Sequence, residues 1–139
     1  MTNRKPNFTI EEIRAAHAKA KTGADFPGYI RDIKKLGVHH YDYHVENGSN
    51  VYFDKDGNYV SARPAETIQR TVSDNASPDM LKKYLLNHQQ GGSDYPTFCR
   101  QAAETGVERW TSNLEKMVCA YYDKQNNELY AEPIPEAKY

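Results

Sequence analysis

Apolar positions along this chain follow a period near 3.6 in two stretches and a period of 2 after each of them. In the first helical stretch, Thr9-Ile10-Glu11-Glu12 is a capping box flanked by Phe8 and Ile13 at staple spacing. That spacing predicts a helix from Ile10 to about Lys21. A matching helix is predicted from Ser77 (N-cap) and Pro78 (first helical position) to about Gln89. Asp25 and Asp94 read as caps of a second helix in each half, and Gly37 and Gly106 as the residues that stop them. Beyond each glycine the pattern alternates. Residues 38–46 predict a strand, Asn47-Gly48 a two-residue hairpin, 50–54 a second strand, Lys55-Asp56-Gly57 a turn, and 58–62 a third strand. The second half repeats this with strands near 107–115, 117–123 and 127–132, joined by the less turn-like pairs Glu115-Lys116 and Gln125-Asn126.

The two halves also match residue by residue. Residues 23–60 align with 92–129 at an offset of 69 without a gap, and 11 of 38 positions are identical, among them Pro27/Pro96, Gly37/Gly106, Glu46/Glu115 and Asp54/Asp123. Aromatics replace aromatics at Phe26/Tyr95, Tyr29/Phe98, Tyr41/Trp110 and Phe53/Tyr122. Chance would give about two or three identities. The expected architecture is therefore an internal duplication of an ααβββ unit within one pseudo-symmetric domain spanning 1–139. Repeat 1 covers about 8–62, a connector with Pro64 and the apolar anchor Ile68 covers 63–76, and repeat 2 covers about 77–135. The fold class is α+β, as two antiparallel meanders or one six-stranded sheet, with helices packed on one face.

Composition changes this picture in one respect. Leu, Ile, Val and Phe supply only 23 of 139 residues, while Tyr supplies 11. The core should therefore be built largely from aromatic rings. Eighteen basic against nineteen acidic residues leave a net charge of -1, which argues against binding nucleic acid or an anionic membrane by simple electrostatics. No run of 18 apolar residues and no apolar leader at the N-terminus are present, so a cytoplasmic location is expected. Cys99 and Cys119 stand twenty residues apart, outside any C-x-x-C arrangement.

Several residue types could carry chemistry. His40, Asp42 and His44 share one face of a strand and are the candidate metal ligands. The outer two lie about 13 Å apart on an ideal strand, so an ordinary solvated face is the favoured reading and no metal or other cofactor is expected. His17 and His88 suit helix C-termini, where an imidazole meets unpaired carbonyls. Cys99, aligned with Ile30, reads as a small buried hydrophobe; paired with His88 across a helix pair, it is also the candidate nucleophile. Asp54, Asp56 and Asn58 have calcium-like spacing but lack the glycine and the distal Glu of such a loop, leaving turn chemistry.

The stretches from Ala24-Asp25-Phe26-Pro27 to Gly37-Val38, His88-Gln89-Gln90-Gly91, Asp94-Tyr95-Pro96-Thr97-Phe98-Cys99, Gly106-Val107-Glu108-Arg109-Trp110 and Met117 to Lys124 together resemble a family of small bacterial proteins of unknown function. The similarity spans about Phe8 to Pro135. Members often carry the inherited label "phage envelope protein", which implies a phage or virion association but brings no catalytic residue, substrate or cofactor.

Two functional expectations follow. The first is a non-catalytic interaction or accessory protein, a homodimer with a further protein partner, whose contacts come from Tyr41, Tyr43, Trp110 and Tyr130. The second is a small enzyme or small-molecule binder using a groove between the repeats with Cys99 and His88. A deep pocket with convergent polar groups would favour the second; a broad aromatic patch would favour the first.

Overall fold

A computed structural model describes residues 5–19, 26–64 and 66–134. Its elements run α1 (Ile10–Ala18), α2 (Phe26–Leu36), β1 (His40–His44), β2 (Ser49–Phe53), β3 (Tyr59–Ala62), α3 (Pro78–Gln89), α4 (Tyr95–Glu104), β4 (Arg109–Asn113), β5 (Val118–Tyr122) and β6 (Glu128–Pro133). The expected element order is met in both halves. The choice between two meanders and one sheet resolves to a single antiparallel sheet of order β3-β2-β1-β4-β5-β6.

Local chemistry accounts for most boundaries. Thr9 accepts from the Glu12 amide while Glu12 reaches back to the Thr9 amide at 3.1 Å, so α1 begins at Ile10 as its capping box requires. It closes at Lys19, earlier than expected, and the Asp25 cap falls outside the described residues. Asp94 caps α4 by accepting from the Thr97 amide at 2.8 Å. Ser77 precedes α3 without a side-chain cap bond; its amide is instead tied to the Thr105 carbonyl at 2.9 Å.

The hairpins differ from expectation in length. His44 pairs with Ser49, so residues 45–48 form a four-residue loop rather than a two-residue turn. The cause is Val45: it is fully buried, and its amide is bonded across to the Glu108 carbonyl at 2.9 Å, which draws it out of the β1–β2 ladder. Gly48 takes φ +73 there, and the aligned Met117 adopts the same left-handed region at φ 54.

β1 and β4 meet at the centre of the sheet with Asp42 opposite Thr111, Tyr41 opposite Ser112 and Tyr43 opposite Trp110. Because strand side chains alternate, Tyr41, Tyr43, Tyr52, Trp110, Ser112, Cys119 and Tyr121 all face the helices and are buried. They pack with Ile13, Tyr29, Ile30 and Ile33 from α1 and α2 and with Leu81, Leu85, Phe98 and Cys99 from α3 and α4. The opposite face of the sheet carries no helix among the described residues. The connector is strapped to the β1–β2 loop: Arg70 Nη1 donates to the Tyr43 hydroxyl (3.0 Å) and the Val45 carbonyl (2.9 Å). Ile68 packs against Gly48, where an added Cβ would lie 2.9 Å from Ile68 Cδ1.

Candidate functional site

The aromatic contact surface expected from Tyr41, Tyr43 and Trp110 is corrected by the register. These rings are 7%, 4% and 7% exposed, because their strand positions carry them under the helices. Trp110 stacks on Tyr43 at 4.5 Å and lies 5.6 Å from Tyr121 and 5.8 Å from Phe98. Tyr130 is half-buried on the same side, near Tyr121 and under the Lys82 ammonium. Tyr41, Tyr43 and Trp110 belong to the core of the domain, and Tyr130 packs against it.

The thiol pair is also placed in the core. Cys99 is fully buried on the inner face of α4, next to the Tyr43 and Tyr95 hydroxyls, and burial pushes its thiol up. Cys119 is 8% exposed, accepts from Ser112 at 3.7 Å, and is pushed up to about 11, chiefly by burial. Both are free. His88 does not face Cys99: its Nδ1 meets the Ser93 carbonyl at 3.0 Å and its ring stacks on Phe98 at 4.9 Å. His17 sits in the last turn of α1, edge-on to Tyr29. A thiol reagent near neutral pH should leave both cysteines unmodified in native protein and modify both after unfolding. Rapid native-state labelling, followed by mass spectrometry, would show that the burial is not maintained.

The uncovered face of the sheet presents His40, Asp42 and His44 from β1, Val51 and Phe53 from β2, and their counterparts on β4 and β5. Asp42 accepts a 2.6 Å bond from the Thr111 hydroxyl at the centre. To one side His40 lies flat on Phe53, with centroids 4.5 Å apart. At the aligned positions Arg109 holds its guanidinium 4.3 Å over Tyr122. Of the expected metal candidates, His40 and Asp42 are thus engaged with separate partners. Among the described residues no group of three or more His, Cys, Asp or Glu could hold a metal ion.

Two residues that sequence reading passed over complete this region. His39, just before β1, brings its Nδ1 to 2.8 Å from His40 Nδ1 and its Nε2 to 2.6 Å from the Glu115 carboxylate. Burial holds His40 below the ordinary imidazole value; Asp42 opposes the shift and His39 adds to it. A cleft of about 370 Å³ opens beside this chain, with Phe8, Val38 and Leu114 at its base and Lys34, Asp56 and Glu115 at its rim. Its base residues are at most 2% exposed. The only sequence signals were the adjacent histidines after Gly37 and the Glu46/Glu115 identity.

Asp54 and Asp123 are turn residues. Asp54 Oδ1 accepts from the Asp56 and Asn58 amides, both at 2.9 Å, and Asp123 Oδ1 accepts from Gln125 and Asn127 at 3.0 and 2.8 Å. These bonds occupy the carboxylates that a calcium loop would need free.

The fold and this face define a two-layer α+β domain in which, among the described residues, no helix covers one side of the sheet. The chain belongs to the family described as "Protein of unknown function (DUF1398)", which matches residues 14–133. It is similar to "Uncharacterized protein YcgX" of Escherichia coli (strain K12), with 25% identity over 114 residues that cover 82% of this chain and 84% of that protein. No helix among the described residues is long and apolar enough to cross a membrane.

Proposed function

We propose that this protein acts by binding rather than by catalysis, and that the uncovered sheet face is its contact surface, occupied by a second copy of the chain. The layout of that face supports the reading. Asp42 and Thr111 mark its centre, and the imidazole–Phe53 and guanidinium–Tyr122 stacks occupy positions related by the offset of 69. A two-fold dimer needs one patch that complements itself. Here cationic Arg109 and acidic Asp42 lie on the same patch as apolar Val51, Phe53 and Val118, so two copies can offer each other opposite charges around apolar contact. Two sheets packed this way stand about 10 Å apart, a spacing that such side chains fill. The enzyme reading lacks its geometry, since Cys99 is sealed and His88 is turned to Ser93. The phage association attached to the family label selects no feature of this face, whereas a second copy matches its layout.

Sedimentation over a tenfold range of micromolar concentration tests the reading. Wild type should run as a dimer, and Val51→Lys or Val118→Lys should weaken association by about tenfold or more while leaving the circular dichroism unchanged. A wild-type monomer throughout, or a dimer indifferent to both substitutions, overturns it.

A further inference from the structure

His39 and His40 meet in a way that limits how many protons they can hold. Their ring centres are 5.1 Å apart with planes at 86°, and their Nδ1 atoms are 2.8 Å apart. Centres that far apart leave room for the two ring radii and this contact only if the nitrogens face each other along the line of centres. A metal ion bridging them would force the nitrogens apart, so the contact is a head-on hydrogen bond, needing one N–H and one lone pair.

The other end of the chain fixes the first tautomer. The Glu115 carboxylate can only accept, so His39 Nε2 carries a hydrogen. In the neutral pair His39 Nδ1 offers its lone pair and His40 Nδ1–H donates. When one proton is added, His39 becomes an imidazolium donating both to Glu115 and to His40 Nδ1, and the hydrogen of neutral His40 moves to Nε2. A second proton would place two N–H groups head-on. The contact must then open, and the ring that moves is His40. His39 remains bound to the carboxylate, whereas the stack on Phe53 is what still holds His40.

We propose that Glu115, His39 and His40 form a proton-operated latch, closed with no or one added proton and opened by the second, which frees the His40 ring on the uncovered face of the sheet. The charged groups around it are named by the packing. Asp42 on β1 favours a proton on His40 and His39 opposes it; Lys34 at the end of α2 and Lys55 and Asp56 in the β2–β3 turn line the cleft on the His39 side; Asp54 is committed to its turn bonds. The latch stands on this geometry alone, while its consequence for self-association rests on the dimer reading above.

Nitrogen-15 NMR of the imidazoles, followed from neutral to acid pH, tests the latch in wild type, His39→Gln and Glu115→Gln. Glu115 has a side chain 71% exposed, so its replacement leaves the core untouched. Wild type should show coupled titration, with His40 taking its proton below the ordinary imidazole range. His39→Gln should turn the coupled titration of His40 into a single transition, and Glu115→Gln, which removes the acceptor-only anchor of the His39 ring, should release the His39 tautomer that the nitrogen shifts report. Stability carries the same sign. Because His40 is lowered in the folded chain, stability is complete above the unfolded imidazole value near 6.5 and declines as pH falls, until folded His40 is protonated. His40→Gln should remove that slope. A His40 that titrates in one step indifferent to both neighbouring substitutions overturns the latch. If the dimer exists, it should loosen across the lower step; if sedimentation finds a monomer, the NMR arm still decides the latch by itself.

Discussion

Trp110→Ala should cost about 3–5 kcal/mol of stability, a large share of the roughly 5–15 kcal/mol available to a domain of this kind. Trp110 is the sole tryptophan and lies on β4 beside the centre of the sheet. Its ring contacts Tyr43 from β1, Tyr121 from β5 and Phe98 from α4, so it joins both central strands to the helix layer. Alanine would leave a hole walled by rigid rings that cannot collapse into it. Trp110→Phe retains part of that volume and should lose less, despite offset stacking being worth about 0.5–1.5 kcal/mol per pair. Denaturant titration followed by circular dichroism checks this, since the fluorescent probe itself is removed. A midpoint within error of wild type for Trp110→Ala would show that the ring is not structural and would reopen an exposed role for it.

The same residue shows how far the sequence could be read. Alternation placed Tyr41, Tyr43 and Trp110 on strands, and the shortage of aliphatic residues placed aromatic rings in the core. What alternation could not decide was which of two strand faces the helices cover. Both readings satisfy a period of 2, and the choice depends on how β1 meets β4, a pairing across 69 residues. The Asn47-Gly48 signal was right about a hairpin and wrong about its length, because burial of Val45 outweighed the local turn preference. Met117 adopts a glycine-like backbone for the same reason: the ladder on either side of the loop dictates it.

The region around His39 was less legible, for a different physical reason. The spacing of His40, Asp42 and His44 drew attention as a metal pattern, yet their geometry sends His40 to Phe53 and Asp42 to Thr111. The interaction that does form, His39 with Glu115, joins a residue just ahead of β1 to one in the β4–β5 turn. Both fall at the ends of the strands that alternation predicts but outside β1 and β4 as they form, so periodicity does not show that they meet. The chain reaches both only because the two halves pair antiparallel through their first strands, carrying the start of β1 next to the end of β4.

Gly106→Ala should be markedly more damaging than Gly37→Ala, although the two glycines occupy aligned positions and the same local motif. Each follows a helix with left-handed backbone, φ +89 and +111. Each also closes paired end-of-helix bonds: Gly106 and Val107 amides to Ala103 and Ala102 carbonyls at 3.1 and 3.0 Å, and Gly37 and Val38 amides to Lys34 and Ile33 carbonyls at 3.0 and 3.1 Å. A Cβ at Gly37 would find only Phe8 Cδ2 at 3.6 Å, an ordinary contact, so that substitution bears the backbone penalty alone, about 1–2 kcal/mol. At Gly106 a Cβ would stand 2.8 Å from Ala76 Cα and 3.2 Å from its nitrogen. That segment cannot retreat easily, because the amides of Ser73 and Ser77 on either side are bonded to the Ala103 and Thr105 carbonyls at the end of α4, both at 2.9 Å. The clash adds to the backbone penalty, for a total of about 2–4 kcal/mol. Parallel urea titrations of the two variants read the difference directly. Equal losses would mean that the 69–76 segment yields without cost, and that the strap over α4 contributes nothing to holding the second half of the chain together.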